Sequence, residues 1–339
     1  MKLLLKLGLT SCLINKMHIC FLNTQAFGDS VLGMNAARRV KENNPTFTIS
    51  FAVLSKFNLT TNDSPAGLNE VLEVAINQPW IDAVGVAEVN NEGSITNFNF
   101  NTDSIPKIEK LVLQNRWYSD LGISKSNNVD IKEFLSEEQY LDGNIELSVD
   151  SEKLNDDKIR IATNGPLDWN RKLQSENVRL DVLYGIKEIL ENKNIEFELN
   201  LFGVDVNTTT LYQSLQLLNR HDLFIGPAGS LTHCSTALGL DTISIPSVFP
   251  ASYDLPEFYS TKGYHKTINH RKENHCGDFK CVSEKPHNGN NHTQGNPATR
   301  WGFWLRNCPF TESKWACTKT VVAKDILDEF ERWLNVRSK

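Results

Sequence analysis

The sequence predicts an α/β protein of two domains, each a parallel sheet flanked by helices. Three observations carry that expectation. The chain has 339 residues, beyond the usual reach of one hydrophobic core. Strand and helix patterns alternate over residues 17–53 and again over 158–246, the arrangement of parallel sheets joined by crossover helices. Between them, residues 144–157 turn polar and acidic (Asp150, Glu152, Asp156, Asp157) and offer little to bury. Two such units in tandem, 17–150 and 157–320, imply a cleft between them. No internal repeat relates the halves.

Residues 17–23 read as a short buried strand, followed by the loop Thr24-Gln25-Ala26-Phe27-Gly28. A helix pattern then runs from about 29 to 43 and stops before Pro45, because a residue ahead of proline disfavours the helical region. The β-branched and aromatic run from Phe47 to Val53 is a strand. Val71–Ala75 and Ala83–Ala87 suggest further short elements near the same sheet, and the Asn-rich stretch 88–105 reads as a loop. The second unit reads as strand 158–163, helix 174–192, strand 195–202, helix 208–219, strand 222–226, helix 230–239 and strand 242–246. From 262 to 320 the composition shifts toward His, Asn, Gly, Cys and Trp, which marks a loop-rich excursion. An amphipathic helix closes the chain at about 321–336, with Val322, Ile326, Phe330 and Leu334 at i, i+4 spacing.

Composition narrows the function. Hydrophobic residues make up 40% and charged residues 22%, as in ordinary globular proteins. The net charge is −6 and the basic residues are dispersed, with no run longer than Arg38-Arg39, so the chain lacks the basic stripe of a nucleic-acid binder. A nucleotide or polyphosphate stays compatible, because a few backbone amides suffice to hold one. No stretch reaches the roughly 18–20 apolar residues of a membrane helix. Lys2 and Lys6 interrupt the apolar start, and Asn15-Lys16 stand where a signal cleavage site would need small residues. Residues 1–16 therefore read as a loose extension ahead of Met17, and a cytoplasmic location is expected.

Three clusters could carry chemistry. Phe27-Gly28-Asp29-Ser30 lies between the first strand and first helix, where ligands of open α/β sheets bind. Gly28 permits close approach, and Asp29 either projects into the cleft or caps the helix. Gly226-Pro227-Ala228-Gly229-Ser230-Leu231-Thr232-His233 follows the strand at 222–226. Its small residues open a helix whose free amides, from Gly229 through Thr232, suit a pyrophosphate, while the plain alternative is a turn capped by Ser230. His233 in the first turn is either a ligand contact or a buried, satisfied histidine. The third cluster is Thr163-Asn164-Gly165-Pro166 with Arg171 and Lys172, which would meet an anion if the loop enters the cleft. Among the tryptophans, Trp169, Trp301, Trp304 and Trp315 fit a sugar groove or a packed core equally on sequence grounds.

The order strand, Gly28-Asp29-Ser30-Val31-Leu32, Ala36-Ala37-Arg38, Pro45 and strand resembles the amino-terminal signature of the heptosyltransferase family (glycosyltransferase family 9). Asp222-Leu223-Phe224-Ile225-Gly226, then Gly229-Ser230-Leu231-Thr232-His233 and Ala237-Leu238-Gly239, resembles its donor-binding signature. The resemblance covers roughly 17–250 and the last helix. It implies the GT-B architecture of two Rossmann-like domains facing across a cleft, with acceptor on the amino-terminal domain and nucleotide sugar on the carboxyl-terminal one. It further implies an inverting transfer of a heptose-like sugar to a glycan or lipid-linked saccharide, as in lipopolysaccharide biosynthesis, with no cofactor needed for catalysis. Asp29 matches the family's general base, flanked by Gly28 and Ser30. Gly229, Ser230, Leu231, Thr232 and His233 match the donor diphosphate site, and Arg171 or Lys172 its nearby cation. The last helix is expected to cross back to the first domain. One departure stands out: Ala228 occupies a position that is acidic in the family, a loss that Asp254 or Glu257 could offset.

Four of the seven cysteines crowd into 276–317 as Cys276-x4-Cys281 and Cys308-x8-Cys317. A disulfide framework suits small secreted domains, so reduced thiols or a structural zinc of four thiolates fits this chain better. His270, His275, His287 and His292 are substitutes or bystanders. Two other classes fit the same sequence. One is a non-catalytic glycan- or nucleotide-binding protein of this fold, and the other a nucleotide-sugar epimerase using the same cleft.

Overall fold

A computed structural model describes residues 17–23, 27–54, 68–89, 95–113, 128–129, 133–134, 144–154, 156–166, 169, 176–203, 205, 208–245, 262–268 and 321–337. Its first sheet contains β1 (His18–Asn23), β2 (Thr48–Leu54), β3 (Ala83–Val89), β4 (Ile95–Phe100), β5 (Lys110–Leu113) and β6 (Asn128–Val129), in the order β4-β3-β2-β1-β5-β6. All pairings are parallel except β3 with β4. The stretch expected to be an Asn-rich loop thus contains an antiparallel edge strand. Ile95, Phe98 and Phe100 are its half-buried side chains, and the exposed asparagines 97 and 99 make the run look polar.

The second sheet contains β7 (Ile159–Asn164), β8 (Phe197–Phe202), β9 (Leu223–Pro227), β10 (Asp241–Ile245) and β11 (His265–Thr267). The order is β11-β10-β9-β7-β8, and every pairing is parallel. Strand order reverses around β1 in the first sheet and between β7 and β9 in the second. These are the switch points where crossover helices part and leave a crevice beyond the strand carboxyl ends.

Six helices accompany the sheets among the described residues: α1 (Phe27–Asn43), α2 (Leu68–Ile76), α3 (Glu176–Asn192), α4 (Leu211–Leu218), α5 (Ser230–Ala237) and α6 (Ala323–Arg337). The start of α4 is fixed by Thr210, whose hydroxyl accepts the Gln213 amide N–H at 3.2 Å. Side chains sort by strand parity. Ile19 and Phe21 of β1, with Phe51 and Val53 of β2, join α1 and α2 in a core that continues through α4 and α5 to Phe202 and Phe224 of the second sheet. Helix α1 packs on α5, and α2 on α4. The outer face of the second sheet packs with α3 and α6 around Trp169, Phe330 and Trp333. Each such fully buried large apolar side chain contributes about 1.5–3 kcal/mol.

Two expectations need correction. Helix α6 belongs to the second domain, not back on the first. Ile326, Phe330, Trp333 and Leu334 bury against the second sheet and α3, and Trp333 Nε1 donates to Asp241 Oδ2 at 2.7 Å. Val322 precedes this helix and is exposed rather than part of its apolar face. An amphipathic stripe specifies that a helix is covered, not by which sheet. The boundary expected to offer little to bury is also packed and hydrogen-bonded. Residues 144–151 run between the domains with Leu147 buried and its amide donating to Ala237 O at 2.8 Å. On one side Glu146 N donates to Asn35 Oδ1 and Ser148 N to Gln78 Oε1; on the other, Asp150 N donates to Tyr212 Oη. Arg38, buried over the Trp80 ring, donates to Asn144 O and pairs with Glu146 and Glu42.

Candidate functional site

The carboxyl ends of β1 and of β7 and β9 lie on the two sides of the α1–α5 contact, and the first turns of these helices meet there. A Cβ built on Gly28 would stand 3.1 Å from His233 Cδ2 and 3.5 Å from both Ser230 Cα and Ser230 Oγ. The absence of a side chain at Gly28 lets α1 come this close. The small residues of α5, Ser230, Thr232, Cys234, Ser235, Thr236 and Ala237, do the same from the other side, and every residue from Thr232 onward is buried. The structure thus brings together two clusters that lie about two hundred residues apart in sequence.

Helix α5 begins at Gly229, an extended cap residue with no side-chain hydrogen bond, and Ser230 is its exposed first residue. Ser230 is therefore not the cap that the plain reading supposed. With no side chain capping it, the first turn presents its amides and the positive end of the helix dipole toward the α1 junction. Leu231 packs its side chain into the interdomain core, and the Thr232 hydroxyl donates to Pro227 O at 3.2 Å, so both can offer a ligand only their backbone. His233 is 4% exposed, wedged against Gly28. Ala228 is buried and donates its amide to Ile245 O at 2.7 Å.

Asp29 and Ser30 lie in the first turn of α1, so Asp29 is inside the helix rather than at its cap; Ser30 is fully buried. The Asp29 side chain falls outside the described residues. So do Arg171, Lys172, Asp254, Glu257, and the cysteines Cys276, Cys281, Cys308 and Cys317. Among the described residues no three or more His, Cys, Asp or Glu converge as a metal site. Trp169 is completely buried and donates Nε1–H to Thr163 Oγ1 at 3.2 Å, which makes it core. The Cys20 and Cys234 thiols are both fully buried, which disfavours their thiolates. Burial pushes Cys20 up to about 12, and raises Cys234 as well.

Two asparagines stand at the switch points: Asn164, part of the third cluster, and Asn23, which the sequence reading did not single out. Asn23 ends β1 and Asn164 ends β7, both buried. The Asn164 amide lies across Gly226, where any Cβ would overlap its Oδ1. A separate cavity of about 410 Å³ sits beside the first residues of β7 and β8, lined by Arg160, Glu198, Asn200 and His221 among others. Its Arg160 pairs with Glu198 and with the neighbouring Asp156.

No protein-family model matches the chain, and no curated protein sequence does. Solved structures do. TibC from enterotoxigenic Escherichia coli, an iron-containing dodecameric glycosyltransferase, superimposes with a TM-score of 0.53 at 11% identity over 95% of this chain and 77% of its own. The E. coli ADP-heptose lipopolysaccharide heptosyltransferase II gives 0.50 at 13% identity over 95% and 100%. A family 9 glycosyltransferase from Veillonella parvula gives 0.50 at 10% over 95% and 98%. The fold is that of the GT-B glycosyltransferases. At these identities the likeness establishes the shared GT-B architecture, two Rossmann-like domains with facing strand ends, and the α1–α5 junction lies at the meeting of its two halves. No helix among the described residues is long and apolar enough to cross a membrane.

Proposed function

We propose that this protein is an inverting glycosyltransferase that moves a heptose-like sugar from a nucleotide donor to a glycan or lipid-linked saccharide. The observation that carries the reading is the approach of the first turn of α1, which holds Asp29, to the uncapped first turn of α5. Among proteins of this fold, TibC has been solved with ADP-D-β-D-heptose, at 10% identity to this chain and a TM-score of 0.55 over 95% of this chain and 77% of that one.

In this reading the donor diphosphate lies on the amides of Ser230, Leu231 and Thr232, with Arg171 or Lys172 as its cation and His233 beside it. Asp29 takes the proton from the acceptor hydroxyl as its oxygen attacks the anomeric carbon. The bond to the diphosphate breaks on the opposite face, and the charge that develops on the leaving oxygen is met by oriented amides that need no reorganisation. Gly28 and Ser30 shape the turn that presents the base. The chemistry requires no metal from this chain, and the enzyme works in the cytoplasm, at most in peripheral contact with a membrane.

A thermal-shift panel of ADP-, GDP-, UDP-, CMP- and dTDP-sugars tests the donor site. A donor at about 100 times its dissociation constant stabilises the fold by roughly 2.7 kcal/mol. Asp29→Asn should then lower turnover by about 10²–10⁴-fold while leaving donor affinity intact. Wild-type turnover in that variant removes Asp29 as base. Selective binding with no transfer to any saccharide favours a glycan- or nucleotide-binding protein, and donor turnover without an acceptor favours an epimerase.

A further inference from the structure

Asn23 is the last residue of β1, the strand about which the first sheet reverses its order. Its side chain is completely buried, and neither Nδ2 nor Oδ1 has a hydrogen-bond partner among the described residues. Strand parity fixes the face it occupies. Ile19 and Phe21 lie in the interdomain core, Cys20 and Leu22 on the opposite face, and Asn23 falls with the first pair, opposite Val53 of the same core. The amide therefore sits on the α1 side of the sheet, at the strand end that leads into the α1 turn.

A buried amide with both its donor and its acceptor unmatched destabilises the fold, and a leucine of nearly the same shape would remove that cost. Retention of such a group at a switch point marks a function that the packing does not need. The chemistry of the missing partner follows from the pair of unmet atoms. A phosphate oxygen only accepts and would leave Oδ1 facing negative charge. A vicinal diol matches both, one hydroxyl accepting from Nδ2–H and its neighbour donating to Oδ1. On the nucleotide-sugar reading above, a sugar joined to a diphosphate at the α5 turn extends toward α1 and the end of β1.

We propose that Asn23 is a specificity-determining residue that binds adjacent hydroxyls of the transferred sugar when the α1–α5 junction admits the donor. The inference rests on the donor-site reading, and the test separates the two. Calorimetric titration of the full chain would use the panel's best nucleotide sugar and the same nucleoside diphosphate without its sugar. Wild type, Asn23→Leu and Asn23→Ala would be compared, with apo melting midpoints recorded.

The expected result is a nucleoside diphosphate affinity within about twofold of wild type in both variants. Affinity for the sugar nucleotide falls about tenfold or more, as loss of two hydrogen bonds predicts, and the apo midpoint of Asn23→Leu equals or exceeds wild type. Undiminished preference for the sugar nucleotide in both variants overturns the inference and leaves the donor site standing. Failure of both variants to fold makes the amide structural and overturns it as well. A wild type that binds neither ligand of any pair refutes the donor reading itself, and the Asn23 assignment goes with it.

Discussion

Substituting Gly226 by alanine probes the switch point of the second sheet directly. Gly226 is the fourth residue of β9, paired with Ser244 of β10, and its missing side chain would face Asn164. A Cβ there overlaps Asn164 Oδ1, far inside ordinary contact at 3.4 Å, and stands 3.1 Å from Phe224 Cζ. Both neighbours are buried, at 2% and 0% exposure, so neither can swing into solvent. Overpacking of this kind costs about 1–3 kcal/mol. Replacing glycine by alanine in a strand returns about 0.5–1 kcal/mol of backbone entropy. The net expectation is a loss of about 1–2 kcal/mol, read as a lower urea midpoint at unchanged slope. Because the clash is with one side chain, Asn164→Ala in the same background should restore about 1 kcal/mol or more as a coupling energy. The α5 turn begins directly after this strand, so nucleotide affinity should fall with stability in the single variant and recover in the double. An additive double mutant, or a single variant as stable as wild type, would refute the packing argument.

The other expectations concern pH, the last helix and the cysteines. His18, His221 and His265 are buried, and desolvation holds each below its ordinary value. They are neutral when folded and protonate near pH 6.5 when unfolded, so stability is present above that pH and is lost as pH falls below it. Three groups bound the slope at no more than about 4 kcal/mol per pH unit; urea midpoints unchanged between pH 7.5 and 5.5 would contradict this. Trp333→Phe removes the donor to Asp241, which also accepts the Tyr264 amide N–H, and should cost about 1.5–3 kcal/mol in global unfolding. A loss confined to fraying of α6 would show that the helix is not integral to the second domain. Elemental analysis of purified protein separates the two readings of Cys276, Cys281, Cys308 and Cys317: about one zinc per chain, with chelation lowering the melting midpoint, marks a structural metal site, and four titratable thiols without metal mark reduced cysteines. Folded, metal-free protein would end the metal assignment.

Elements whose signal is local were legible in the sequence. The apolar strand before Gly28, the helix ending ahead of Pro45, and the alternation from β7 to β10 all carry their own period and stop signals. The α5 turn was legible too, since small residues after a strand have few other uses. What escaped depends on contacts between distant segments. Strand β4 hid behind asparagines that face outward. The linker read as polar with little to bury because its partners, Asn35, Gln78 and Tyr212, are spread over the two halves. That Gly28 touches His233 follows from how two helices cross, and no window of sequence holds both.

The shared interior between the halves changes what the word domain means here. Topologically there are two sheets, each closed by its own crossovers. Thermodynamically the partition fails, because Met34 and Val31 from one half and Leu215, Leu218 and Ala237 from the other lie in a single apolar cluster, with Leu147 of the connecting segment inside it. Separating the halves would wet that cluster and strip the connecting segment of its partners on both sides. The cleft is thus not a gap between two self-sufficient bodies joined by a free swivel. It is bordered by a shared apolar seam, and a motion that parted the halves along its whole length would expose that seam to water.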